Sequence, residues 1–282
     1  RAEPGPRGPG SPSPAWGAML LSAPMIACDD LLPRTLTLCR LTCVLALATS
    51  VFALAATPAS SQPAAQTAPR VVGPVTGGVK GHPFRSFATA DVALLRAAGY
   101  VEEEFLLEGT ARAYGSEAPL SSDGRWSVTV ASSAPYRTRV LVRRPADPGR
   151  FNGTVIVEWL NVTAGFDLDP DFAYGATELL RGGYAWVGVS AQAVSINGGM
   201  PPGFGLKSWD PERYGSLTHP GDSFSYDIFS QAAVALRAAA GGALLGPLRA
   251  SRLIADGESQ SAGRMVTYVN ADRKSTRLNS SH

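Results

Sequence analysis

The chain has 282 residues, 45% hydrophobic and 17% charged, with a formal net charge of +2. That is enough apolar sequence for a sizeable core, and the charge balance excludes a nucleic-acid footprint, because the basic excess sits at the two ends and residues 62–271 are close to neutral. Cys28, Cys39 and Cys43 all precede residue 62, which excludes a disulfide framework, a thiol nucleophile and a cysteine-ligated metal from the rest.

In chain order, RAEPGPRGPGSPSPAWGA (1–18) is too rich in Pro and Gly to build a core. Arg34 and Arg40 then flank the apolar run LTCVLALATSVFALAA (41–56), which carries the small-residue site Ala53-Leu54-Ala55. Basic flank, apolar core and A-x-A-like cleavage site are the order of a secretory signal. The run is short of the roughly 20 residues a spanning helix needs. Residues 1–61 are therefore read as an upstream segment and signal peptide, cleaved between Ala55 and Ser61, of a secreted or periplasmic protein without a stable membrane anchor.

YVEEEFLLEGTARAY (100–114) predicts an early strand, and RWSVTV (125–130) and YRTRVLV (136–142) alternate apolar and polar residues. The last two predict half-exposed strands joined as a hairpin across ASSAP. From residue 153 the pattern shifts: GTVIVEW, YAWVGVS and RLIADG are near-continuous apolar runs, expected of parallel strands covered on both faces. Helical stripes separate them. DFAYGATELLRGG groups Phe172, Ala176, Leu179 and Leu180, with Asp169 as N-cap, Pro170 at the first position and Gly182 at the end. YDIFSQAAVALR groups Phe229, Ala232, Ala233 and Leu236, and a final stripe joins Ala262, Met265, Val266 and Val269.

Antiparallel strands leading into β-α-β-α-β-α predict an α/β fold over residues 62–271. Residues 191–222 are too long and too rich in Gly and Pro for an ordinary crossover, and their Phe204, Trp209 and Tyr214 predict a lid or pocket wall. Asp167, Asp169 and Asp171 resemble the start of a calcium loop, but Phe172 stands at its glycine position. Helix capping is the expected role, and no metal or cofactor is expected.

LIADGESQSAG (253–263) runs from an apolar strand into a turn. In a nucleophile elbow such a turn holds a serine in a strained conformation that only small neighbours two residues away on each side tolerate, here Gly257 and Ser261. It displays Ser259 at the sheet edge and aims the backbone N–H of Gln260 at the same spot. The pattern is G-x-S-x-S rather than G-x-S-x-G, and the plainer role for Ser259 is a helix cap.

With VIVEWLNV, YAWVGVSAQ, LKSWDPERYGSLTHPGDSFSYDIFSQA and GESQSAGR, residues 70–271 resemble the secreted α/β-hydrolase domain-containing family of serine esterases. The resemblance implies the N-terminal part of an α/β-hydrolase fold, up to the elbow and its helix, with Ser259 as nucleophile and a small-molecule carboxylic ester as substrate. The second oxyanion donor is then expected from the loop after GTVIVEW, at the backbone N–H of Asn161, beside Leu160. Glu158, in the strand itself, needs a partner or a place at the sheet's mouth. In this fold the histidine follows the serine in the chain, whereas His82 and His219 precede it. His219 is expected to line a pocket with Trp209 and Tyr214. DRKSTRLNSSH (272–282) back-translates in frame to a sequencing adapter, so a non-native tail is expected on a fragment lacking its catalytic acid and histidine. The competing class is a non-catalytic α/β-hydrolase-like binding module, and sequence leaves the oligomeric state open.

Overall fold

The computed structural model describes residues 68–86, 92–200, 202–238 and 241–272. The chain divides into two units, Arg1–Ser61 and Gln62–His282, and everything described belongs to the second. The signal-peptide reading and nearly all of the tail reading lie outside the described residues.

The elements are β1 (Arg70–Val72), α1 (Val92–Ala97), β2 (Tyr100–Gly115), β3 (Thr129–Pro145), β4 (Thr154–Trp159), α2 (Pro170–Arg181), β5 (Ala185–Val189), α3 (Ala193–Asn197), α4 (Leu206–Trp209), α5 (Pro211–Tyr214), α6 (Ser225–Arg237), α7 (Gly241–Leu245), β6 (Arg252–Asp256) and α8 (Gln260–Asp272). They form an α/β architecture around a six-stranded sheet of order β1-β2-β3-β5-β4-β6. Pairing is antiparallel from β1 through β5, and parallel for β5-β4 and β4-β6. The C-terminal ends of β4, β5 and β6 therefore meet at one edge, where open α/β sheets place their ligands.

Strands β4 and β5 are buried on both faces, as their apolar runs predict. Val155, Val157, Trp159, Val187 and Val189 pack under α6 against Ile228, Phe229, Ala232 and Leu236. Ile156 and Trp186 point the other way, onto Phe172, Ala176 and Leu180 of α2. Each such side chain contributes roughly 1.5–3 kcal/mol on burial.

The hairpin differs from expectation. ASSAP is no break: β2 and β3 pair in register from Tyr100↔Pro145 to Gly115↔Thr129, with one irregularity at Ala113/Tyr114. Pro135 has no N–H to give Thr110 opposite, and Gln231 Nε2 donates to the Thr110 carbonyl instead, at 2.8 Å. Nor is the charged face of this hairpin solvent-exposed. Glu104, Arg139 and Arg143 are all buried. Arg139 donates to Glu104 (2.5 Å), Asp167 (3.2 Å) and the Phe84 carbonyl (2.7 Å). Arg143 donates to Glu102 (2.9 Å) and Asp169 (2.6 Å), with its guanidinium 4.2 Å from the Phe172 ring centre. Arg213 and Tyr214 complete Glu104's shell at 2.6 and 2.8 Å.

Three further expectations change. Asp169 makes no side-chain cap on α2, because its carboxylate is committed to Arg143 and Ser86. Glu158 caps α2 instead, accepting from the N–H groups of Asp171 (3.3 Å) and Phe172 (3.0 Å). Among the described residues strand β6 is paired on one side only, and Ile254 is 42% exposed; on α8, Met265 reaches the core while Val266 and Val269 stay exposed. Residues 191–222 hold α3, α4 and α5, and Ile196, Leu206, Tyr214 and Leu217 bury against Phe84, Leu106 and Phe166. Two glycines close that excursion at its neck: a Cβ on Gly205 would lie 2.1 Å from the Gly198 nitrogen.

Removing one member of a buried ion pair leaves an uncompensated charge, at a cost of about 3–5 kcal/mol. Glu104→Ala is expected to lose that much in urea unfolding. Arg181→Ala, which breaks the exposed pair with Glu178, should leave the urea midpoint at the parent's value. Near-equal effects would mean that the buried guanidinium groups are satisfied without Glu104.

Candidate active site

Strand β6 ends at Asp256 and α8 begins at Gln260, so Ser259 sits in the turn between them. It is exposed, and its φ of 56° is the only positive value at a non-glycine residue among the described residues. Its small neighbours are needed. Ser261 is fully buried, and a Cβ on Gly257 would lie 3.1 Å from the Ser261 Cβ and 3.2 Å from Met265 Cγ. Hydrogen bonds fix the turn: Gly257 N–H to Asp256 Oδ1 (2.9 Å), Ser261 N–H to the Glu258 carbonyl (2.9 Å), and Gly263 N–H to the Ser259 carbonyl (3.2 Å). Gln260 heads α8, where the first N–H groups have no intrahelical acceptor.

The loop after β4 comes to this turn through Asn161, whose side-chain Nδ2 donates to the Glu258 carbonyl at 3.0 Å. Its backbone does not play the expected part. The Asn161 N–H donates to the Leu168 carbonyl at 2.9 Å, and Leu168 returns a bond of 2.8 Å, so that donor is spent in a bridge. The Leu160 N–H goes to Val189. The backbone N–H groups of Val162 and Gln260 donate to no acceptor among the described residues.

A strand–serine–helix turn at the C-terminal edge of a parallel sheet, with unpaired N–H groups on the turn and on the loop after β4, is the arrangement of an α/β-hydrolase elbow. Residues 71–279 match the family model described as "Alpha/beta hydrolase domain". The chain belongs to that family. The match runs past Asp272 to residue 279, so it gives no support to a non-native tail beginning there. No curated protein and no solved structure matches the chain.

Around the hydrolase elbow the structure assembles polar residues that sequence did not single out. The buried Gln192, just after β5, accepts from Trp159 Nε1 (2.9 Å) and Gln260 Nε2 (3.1 Å) on one oxygen. Asp222 accepts from the Ala193 N–H (2.9 Å) and pairs with Arg264 of α8 (3.0 Å). Gln192 stands within YAWVGVSAQ, but nothing in its spacing distinguishes it from a turn residue. Glu158 is buried among α2, Trp186 and two neighbouring carboxyls, Asp171 and Asp169. Burial pushes it up to about 8 and the charge of Asp171 adds to this, opposed by the Trp186 hydrogen bond. Asp171 is in turn raised to about 6 by burial and then by Asp256 and Glu258. Asp167 and Asp169, of the calcium-like triplet, bond to Arg139, Ser190 and Arg143.

Of the three expected pocket residues, Trp209 and Tyr214 lie together, with ring centres 6.0 Å apart, while His219 bonds elsewhere, to Ala191. Tyr214 is fully buried core, with its hydroxyl on Glu104. Trp209 packs edge-on to Phe84 at 5.3 Å between ring centres. His219 stands nearer the elbow, next to Ala191, the neighbour of Gln192. Its Nδ1 accepts from the Gly221 N–H (3.1 Å), so Nε2 carries the proton and donates to the Ala191 carbonyl (2.9 Å). Both nitrogens are occupied. Burial lowers its pKa below the ordinary 6.5, against the opposing effects of the Ala191 bond and the Asp222 charge.

Between the unfolded value near 6.5 and the lower folded value the unfolded chain binds more protons, so stability rises with pH there. His219's contribution is present above 6.5 and lost as pH falls through the folded value. Urea titrations should show a decline below about pH 6.5 that is reduced in His219→Gln. An NMR titration midpoint for His219 at or above 6.5 would overturn this.

Proposed function

We propose that the chain carries the nucleophile of a serine hydrolase acting on small-molecule carboxylic esters, with an acyl-enzyme on Ser259. The observation that carries the reading is the positive φ of an exposed serine in a strand-to-helix turn. Such backbone strain costs of order 1–3 kcal/mol, persists only where the surroundings fix it, and clusters at active sites. Ser259 Oγ attacks the ester carbonyl and gives its proton to a base. The tetrahedral oxyanion is held by the N–H groups of Gln260 and Val162, the alcohol leaves with a proton, and water releases the acid. The choice of ester over amide rests on the sequence resemblance.

No imidazole among the described residues is hydrogen-bonded to Ser259, and His219 is committed elsewhere. We therefore expect the 282-residue chain to lack efficient turnover and to keep roughly the 10³–10⁴-fold effect that an oxyanion hole and binding give without a triad. That no described imidazole bonds to Ser259 is what favours the second reading, a non-catalytic binding module.

Supplying the base separates the two. A fluorophosphonate is expected to label Ser259 at a rate that rises with added imidazole, and to leave Ser259→Ala unlabelled by intact mass. Undiminished labelling of Ser259→Ala would place the nucleophile elsewhere, and no labelling at any imidazole concentration would leave the binding module. The proposal includes export: expressed in a bacterial host, the protein should begin between Ala56 and Gln62 by N-terminal sequencing, and an intact Arg34 in the exported protein would refute this.

A further inference from the structure

We infer that Asn161 is a positioning residue for the nucleophile: its side-chain amide clamps the peptide plane before Ser259 and so holds the serine in its strained conformation. This deepens the serine-hydrolase reading and rests on it. Every polar group of Asn161 is engaged. Its N–H and C=O exchange bonds with Leu168, its Oδ1 accepts from the Thr163 N–H at 2.8 Å, and its Nδ2 donates to the Glu258 carbonyl at 3.0 Å, with the Glu258 carboxylate at 3.4 Å. Because Thr163 offers a donor, the amide has one orientation only: oxygen toward Thr163, nitrogen toward Glu258.

The consequence lies in what φ measures. The φ of Ser259 is the rotation between residue 259 and the peptide plane that contains the Glu258 carbonyl. That carbonyl is held from two sides, by the Ser261 N–H within the elbow and by Asn161 from across the sheet edge. The Ser261 bond alone belongs to the turn and moves with it. The Asn161 bond refers the plane to β4, whose Glu158 is paired with Asp256 of β6. The same residue fixes the loop that presents the Val162 N–H, through its bridge to Leu168 and its bond to Thr163. One buried side chain thus sets the serine and the unpaired donor of the neighbouring loop relative to each other.

Two variants test this in the full chain, read as the rate of Ser259 phosphonylation at fixed imidazole. Asn161→Ala should label at least ten-fold more slowly than the parent at every pH. Asn161→Asp places a carboxyl against the Glu258 carbonyl. Ionised, it repels that oxygen; protonated, it donates to it as the amide does. The Glu258 carboxylate is the titratable group touching this position, with Asp256 and Asp171 beyond it, and their charge moves the new carboxyl's titration upward. The ratio of Asn161→Asp to parent should therefore climb as pH falls from 8 to 5, while the Asn161→Ala ratio stays flat. A purely structural role would not give that difference.

Equal labelling of Asn161→Ala and parent, or an Asn161→Asp ratio as flat as that of Asn161→Ala, would overturn the clamp. A parent that never labels at Ser259 refutes the hydrolase reading instead, and the clamp is then read by amide hydrogen exchange. Faster exchange of the 257–263 peptide in Asn161→Ala, with the β4 peptide unchanged, supports it, and unchanged exchange of 257–263 refutes it.

Discussion

Two arginines on one face of β3 dictate how the rest of the chain is arranged. Arg139 and Arg143 are nearly inaccessible to solvent, and a charge can be buried only where carboxylates and carbonyls meet it. Glu102 and Glu104 come from β2, one of them directly across the ladder from Arg143. The other partners are distant in sequence: the Phe84 carbonyl, Asp167 and Asp169. Arg213 then shares Glu104 and reaches the carbonyls of Val75 and Gly77. Segments before β2, after β4 and after β5 are held on this face by charge, and the apolar cluster around Phe84, Phe166 and Tyr214 closes over them.

That arrangement explains which parts were legible. Alternation along YRTRVLV has the same period whether the polar face meets water or meets a second layer of chain. Period 2 places Arg139 and Arg143 on one face, and only the partners, 26 to 109 residues away, decide that this face is buried. The runs in β4 and β5 carry no such ambiguity, because a strand apolar on both faces must be covered twice. Asp169 illustrates the cost of local rules. It occupies the position before Pro170 where a cap belongs, yet Arg143 outcompetes two backbone N–H groups for its carboxylate, and these fall to Glu158 from inside the sheet.

The elbow was legible because its requirement is local: a serine between small residues, after an apolar strand and before an amphipathic helix. The partner loop was not, by one residue. Whether Asn161 or Val162 presents a free N–H depends on how the chain turns between 161 and 168, and the Asn161–Leu168 bridge settles that. The exposure of Val266 and Val269 was hidden for a different reason, since a helical stripe states which residues are apolar and not how many neighbours exist to cover them.

The charge network and the elbow are joined by the same short segment. Residues 161–169 begin at the Asn161 contact with Glu258 and end at Asp167 and Asp169, whose carboxylates are bound to Arg139 and Arg143. Ser190, which also bonds Asp167, leads directly into Ala191 and Gln192, and Gln192 touches Gln260 beside Ser259. A loop tied only at the elbow would fluctuate with it. Tied at its far end to buried guanidinium groups on a central strand, it becomes a fixed wall against which the strained turn is held. Interactions that would be a poor route to stability alone thereby acquire a use: they supply the rigid frame that a positive φ at Ser259 requires.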